Sequence, residues 1–223
     1  MELDSFIQAM SGDVVLAVKN ATRFVHFIGL AIGLGAATML DLMLLRFVAR
    51  KRITHDDWQM IDFGARIVSV GLTILWITGI AFIVEYAFFD PAKLMNEKIW
   101  AKLVIVGVLT ANGMFIHSVV MPRIKAQIGQ SLFAGMGKGE RNAFLISGAI
   151  SATSWYVPVA LGAFSQLNNT ITAIGILVVY ASMLVMMTVV MRMVMYVAGF
   201  GARKAPTFAM AHPNYQIRLT YGS

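Results

Sequence analysis

No cysteine occurs among the 223 residues, which excludes disulfides, thiolate metal ligands and iron–sulfur clusters at once. Charge is scarce as well: 13% of residues are Asp, Glu, Lys or Arg, against about 25% in soluble domains. With 58% hydrophobic residues and a mean hydropathy of +0.73, a water-soluble globule is excluded. The first residues, MELDSFIQAMSGDVV, lack a basic stretch ahead of an apolar core and a small-residue cleavage site, so the pattern of a cleaved signal is missing. Also missing is a general acid, nucleophile or metal cluster of recognised spacing, which leaves enzymatic activity undecided.

What the chain does have is long apolar runs. A hydrocarbon core of about 30 Å needs roughly 20 helical residues. Five stretches meet that length, at about 22–46, 63–86, 99–121, 143–167 and 171–200. The expectation is an all-α integral membrane bundle of five transmembrane helices forming one domain over residues 1–223. Residues 1–21 mix Phe6, Ile7, Met10, Val14 and Val18 with Glu2, Asp4, Asp13 and Lys19, a pattern expected to give a short interfacial helix. Residues 201–223 form a polar tail. Asn168, Asn169 and Thr170 leave so short a link that the last two spans must be antiparallel neighbours. The glycine-rich segment from Gly129 to Arg141 reads as a flexible loop, since it lacks the Lys-Ser/Thr ending of a phosphate-binding loop.

The net charge of +7 comes from basic residues beside apolar runs, so it signals topology and anionic lipid rather than nucleic acid. Arg46, Arg50, Lys51, Arg52, Arg123, Lys125, Lys138, Arg141, Arg203, Lys204 and Arg218 fall on one side; far fewer fall on the other. The positive-inside rule therefore expects the N-terminus outside and the C-terminus in the cytoplasm, in a bacterial cytoplasmic membrane.

Ionisable groups inside a bilayer are expensive and need partners. Converting position to depth gives two layers. The outer holds His26, Glu85 and Lys102; the inner holds Asp41, Arg66 and His117, with Arg192 near it. Asp41 and Arg66 are expected to neutralise each other as a structural polar layer with His117, and Asn112 to join helices by a hydrogen bond. His26 and His117 lie too far apart to share one haem iron. Below His26, Gly29, Gly33 and Ala36 or Ala37 form a smooth helical face. It suits either a second helix or a flat macrocycle on an axial imidazole. Met183, Met187, Met191 and Met195 make a stripe four residues apart, read as flexible packing or as soft copper ligands.

Three segments together, FVHFIGLAIGLGA, GARIVSVGLTILWITGI and IWAKLVIVGVLTANG, resemble the copper-resistance protein D family and the related HemJ-type protoporphyrinogen oxidases. The resemblance covers roughly residues 20–125. It implies a site for haem b or a related tetrapyrrole, with His26 as the ligand to iron and Lys102 as the second functional residue, beside Gly29 and Gly33. HemJ-type proteins are usually shorter, with four spans, whereas this chain has a fifth, and its spans four and five have no specific counterpart there. Alternatives are an accessory subunit packing against other membrane subunits, or a homo-oligomer, in a respiratory or photosynthetic complex, and transport of copper or a small solute.

Overall fold

The structure, a computed structural model, describes residues 2–49, 52–168 and 170–197, with side chains from Gly12 to Phe47 in the first of these stretches. The polar tail expected at 201–223 and Asn169 lie outside the described residues. Five helices account for most of the rest: α1 (Glu2–Ala49), α2 (His55–Phe89), α3 (Glu97–Ala126), α4 (Lys138–Ala163) and α5 (Ala173–Val197). All five are long and apolar enough to cross a membrane. The chain is thus a multi-pass α-helical membrane protein, as its hydropathy predicts.

The separate interfacial helix is corrected. α1 runs unbroken for 48 residues, about 70 Å at ~1.5 Å per residue. Only Gly12 interrupts its side-chain pattern near the start, and one helical glycine costs about 1 kcal/mol, too little to break so long a helix. Lys19, one reason to expect a segment lying flat, instead pairs with Glu85 of α2 at 3.0 Å.

That pair begins a regular antiparallel seam. Seven residues on, His26 Nδ1 meets Thr78 Oγ1 at 2.7 Å. After seven more, the backbones of Gly33 and Gly71 touch: a Cβ on Gly71 would lie 2.5 Å from Gly33 Cα. Seven further, Leu40 fills the space above Gly64, where a Cβ would come within 2.8 Å of its Cδ2. A seven-residue repeat keeps one helical edge facing its partner along the whole contact, and glycine on that edge lets two backbones approach closely.

The other three helices form a second group. Ala101 and Ile105 of α3, Val157 and Leu161 of α4, and Ile176 and Tyr180 of α5 make its buried core. Ser154 Oγ and Tyr180 Oη, 2.8 Å apart, tie α4 to α5. Trp155 of α4 joins the two groups, its ring lying against Gly33 and packing with Ala37 and Leu109. The methionine stripe winds around α5, from exposed Met183 to buried Met195, so its four thioethers do not share one environment.

α3 contains one π-helical turn, Ile116–Val120, in which Met121 N–H bonds back to Ile116 O. Pro122 stands two residues after its last position; proline has no N–H to donate, and its ring clashes with the carbonyl four residues earlier. Inserting one residue into the turn relieves that conflict and changes the direction in which the side chains point, His117 among them.

The expectation of a flexible Gly129–Arg141 loop is also corrected. Ile53 N–H donates to Gln130 O (2.9 Å) and Gly129 N–H to Ile53 O (2.8 Å), clipping the loop to the α1–α2 link. Leu132 and Met136 are buried, Leu132 with Phe47, Ile61 and Ile124. Gly129 (φ 86°) and Gly135 (φ 67°) take the left-handed backbone that glycine allows freely. The glycines shape a lid over this end of the bundle. We call it the Ile53 end and the opposite one the Asp90 end.

Candidate functional site

Polar groups line two spaces among the described residues. The first is at the Asp90 end, where a short 3-10 helix, Pro91–Met95, links α2 to α3. Lys98 is buried, and its ammonium donates to Phe164 O and to Asn168 Oδ1, each at 2.8 Å. Lys93 bonds Asp90 at 2.7 Å and lies over the Tyr86 ring. The hydrogen bond to Asp90 holds the Lys93 ammonium above its ordinary lysine value. Lys102, one turn below Lys98, has no hydrogen-bond or ion-pair partner among the described residues. The three lysines with Tyr86, Asp90 and Asn168 line an open basin of about 520 Å³.

His26 stands below this basin on α1, close enough for the charge on Lys102 to act on it. Thr78 Oγ1 also lies 2.7 Å from Ile74 O, one turn earlier on α2, so the hydroxyl is held between that carbonyl and the imidazole. No partner meets His26 Nε2 among the described residues. The Phe82 ring meets the imidazole edge-on at 5.4 Å between centroids. Glu85, expected beside His26 and Lys102, pairs instead with Lys19.

The smooth face below His26 is occupied by the chain itself. A Cβ on Gly29 would meet Ile74 at 2.6 Å, and one on Gly33 would meet the Trp155 ring at 2.5 Å. Of the two uses expected for Gly29 and Gly33, the structure has the helix crossing, so a macrocycle does not lie against them in this arrangement.

The second place is a cavity of about 380 Å³ between α2 and α3. α2 scarcely touches the Glu97–Phe115 part of α3 and is bridged to it by side chains, whereas Ile61 and Ala65 pack on Val120, Met121 and Ile124 at the Ile53 end. Trp76 Nε1–H donates to Thr110 Oγ1 at 2.9 Å, and Ser69 Oγ meets His117 Nε2 at 3.1 Å. Asp41, Asn112 and Ser147 also line the cavity. Asn112 and Ser147 satisfy each other, Asn112 Nδ2 donating to Ser147 O (3.0 Å) and Ser147 Oγ to Asn112 Oδ1 (2.9 Å). This is the interhelical bond expected of Asn112.

The expected Asp41–Arg66 pair does not form. Arg66 bonds Asp62, one turn earlier on α2, at 2.8 Å, and its side chain is 76% exposed. The seam of α2 passes through Gly64 and Gly71, and two residues beyond Gly64 turns a side chain about 200° from it, away from α1. Asp62, four residues before Arg66, is the sequence signal that identifies the true partner. Asp41 retains no hydrogen-bond or ion-pair partner among the described residues.

Among the described residues no group of three or more His, Asp or Glu is placed to hold a metal ion. Comparison of the chain with protein-family models, with characterised proteins and with solved structures finds no match, and what stands is a multi-span, all-helical membrane fold.

Proposed function

We propose that the protein binds an anionic tetrapyrrole, haem b or a related macrocycle, at its Asp90 end, in a redox role. The observation that carries this reading is the pairing of an imidazole whose Nδ1 is held by Thr78 Oγ1 and whose Nε2 has no partner among the described residues, with the unpartnered ammonium of Lys102 near enough for its charge to act on it. A metal-ligating histidine characteristically donates its second ring N–H to an oxygen that sets its tautomer. A tetrapyrrole also carries carboxylates, and Lys102, with Lys98 behind it, offers them a cation in a setting where water competes poorly. Its seat is the space toward the basin, not the Gly29 and Gly33 face.

Bound there, the macrocycle's iron supplies a one-electron centre. The chain's own residues hold and orient it: Thr78 fixes the imidazole, Phe82 walls it, and Lys102 anchors the charged edge. The basic loops support an orientation with the N-terminus outside a bacterial cytoplasmic membrane. The accessory-subunit alternative loses one packing face, since Gly29 and Gly33 are used within the chain, and copper transport loses a common path, since Met183 and Met195 differ in burial.

The test is the absorption spectrum of the gently solubilised protein. A Soret band with resolved α-bands on reduction is expected, lost in His26→Ala and reduced several-fold in occupancy in Lys102→Gln. A colourless preparation at full yield, or a spectrum untouched by His26→Ala, overturns the proposal.

A further inference from the structure

The cavity between α2 and α3 lies away from His26 and Lys102, and its chemistry is of another kind. Ser69 Oγ stands between Ala65 O (3.0 Å) and His117 Nε2 (3.1 Å), so one ring nitrogen of His117 is engaged. The other, Nδ1, has no hydrogen-bond partner among the described residues. The Asp41 carboxyl, lining the same cavity, has no partner there either, because Arg66 is turned to Asp62. A carboxyl and an imidazole nitrogen without partners in an otherwise mostly apolar space ask for a polar head group that can donate to the carboxyl.

Access comes from the side. α2 and α3 are held apart along their bodies, and Met114 and His117 on the α3 wall are exposed rather than covered by α2. At about 380 Å³, the cavity is in the size range of small-molecule sites, about 300–1,000 Å³. Its floor is open where it could have been filled: a Cβ added to Gly113 or Gly148 meets nothing within 4 Å. The π-helical turn that presents His117 is of the kind often found at binding sites.

We infer that this cavity takes a bilayer-borne amphiphile with a hydrogen-bond-donating head, an alcohol or a protonated amine on an apolar body, its head at Asp41 and His117 and its body against Leu72, Leu109 and Val120. A purely apolar guest would leave both groups bare. The site is independent of the tetrapyrrole reading.

Trp76 and Trp155 line the cavity and supply the readout. The full chain with Trp58 and Trp100 replaced by Phe is placed in phosphatidylcholine bilayers and titrated with three mid-chain-brominated C18 probes: the amine, the alcohol and the methyl ester. Saturable quenching by the amine or the alcohol, with only linear quenching by the ester, is the expected result. Asp41→Asn should weaken the amine at least tenfold and the alcohol less, which separates the two head groups. Gly113→Leu should abolish saturation for both by filling the space. Linear or equal quenching by all three probes overturns the inference, as does saturation that survives both variants. Should Gly113→Leu fail to fold, the ester control and Asp41→Asn decide alone. The absorption spectrum of the His26 site is expected to be the same throughout, so failure here and failure of the tetrapyrrole reading are seen in different signals.

Discussion

α2 has two long neighbours on its inward sides and treats them differently. Against α1 it presents a small or pairing residue every seventh position, Gly64, Gly71, Thr78 and Glu85, and each has an answering residue on α1. Against α3 it packs Ile61 and Ala65 on Val120, Met121 and Ile124 at the Ile53 end, but beyond them it presents Ser69, Thr73 and Trp76, where the two helices are bridged by the tips of side chains. In a bilayer no hydrophobic force drives helices together, since lipid tails are as apolar as leucine. Close packing must come from shape. Where small residues recur in register the backbones meet; where Trp76 stands between two helices they cannot, and a cavity results. The seam holds the fold, and the gap is available for ligands.

The largest effect should follow from disturbing the seam at its tightest point. Gly71→Leu places a side chain onto the backbone of Gly33, which no rotamer relieves, and should cost about 3 kcal/mol or more, seen as loss of the folded fraction in a denaturant titration in detergent. A wild-type midpoint would show that the two helices do not cross at these glycines.

The gap should be far more tolerant. Trp76→Phe removes the bond to Thr110 while keeping most of the bulk, and should cost about 0.6–1 kcal/mol on the same titration. Equal losses from Gly71→Leu and Trp76→Phe would erase the distinction between the interfaces. The smallest effect is expected at the surface pair: Asp62→Ala should change stability by about 0.3 kcal/mol, because Arg66 is exposed and returns to solvent or lipid headgroups. A loss comparable to that from Trp76→Phe would show that Arg66 has a buried role after all.

The spans were legible because apolar length is a local property, read residue by residue. The levels of His26, Lys102, Asp41 and His117 were legible for the same reason, since helical rise converts position into depth. Azimuth was not. Whether Asp41 faces Arg66 depends on the rotation of two helices about their axes, which is set by the α1–α2 register, and that register is visible only when the sevenfold recurrence in both spans is read jointly. Gly29 and Gly33 illustrate the limit: a smooth face states that something approaches closely, but not whether it is a macrocycle or Gly71. The unbroken α1 was hidden by Lys19, whose charge argued for water until Glu85 appeared beside it. Pro122 could have revealed the π-helical turn, because a proline inside an apolar span forces a local change in the helix.

The clip between Ile53 and Gly129–Gln130 bears on the order in which the molecule is made. The α1–α2 seam uses residues joined by a short connection, so the pair can close as soon as both have left the ribosome and entered the bilayer, at little loop-closure cost. The two bonds at Ile53 wait for residues about 75 positions later in the chain. Until those arrive, the inner edge of the hairpin stays open and α2 has no neighbour on its α3 side. Synthesis therefore proceeds from a finished hairpin to a clipped one, and the wall that α4 gives the gap beside α2, from Phe144 to Trp155, is added only after the clip.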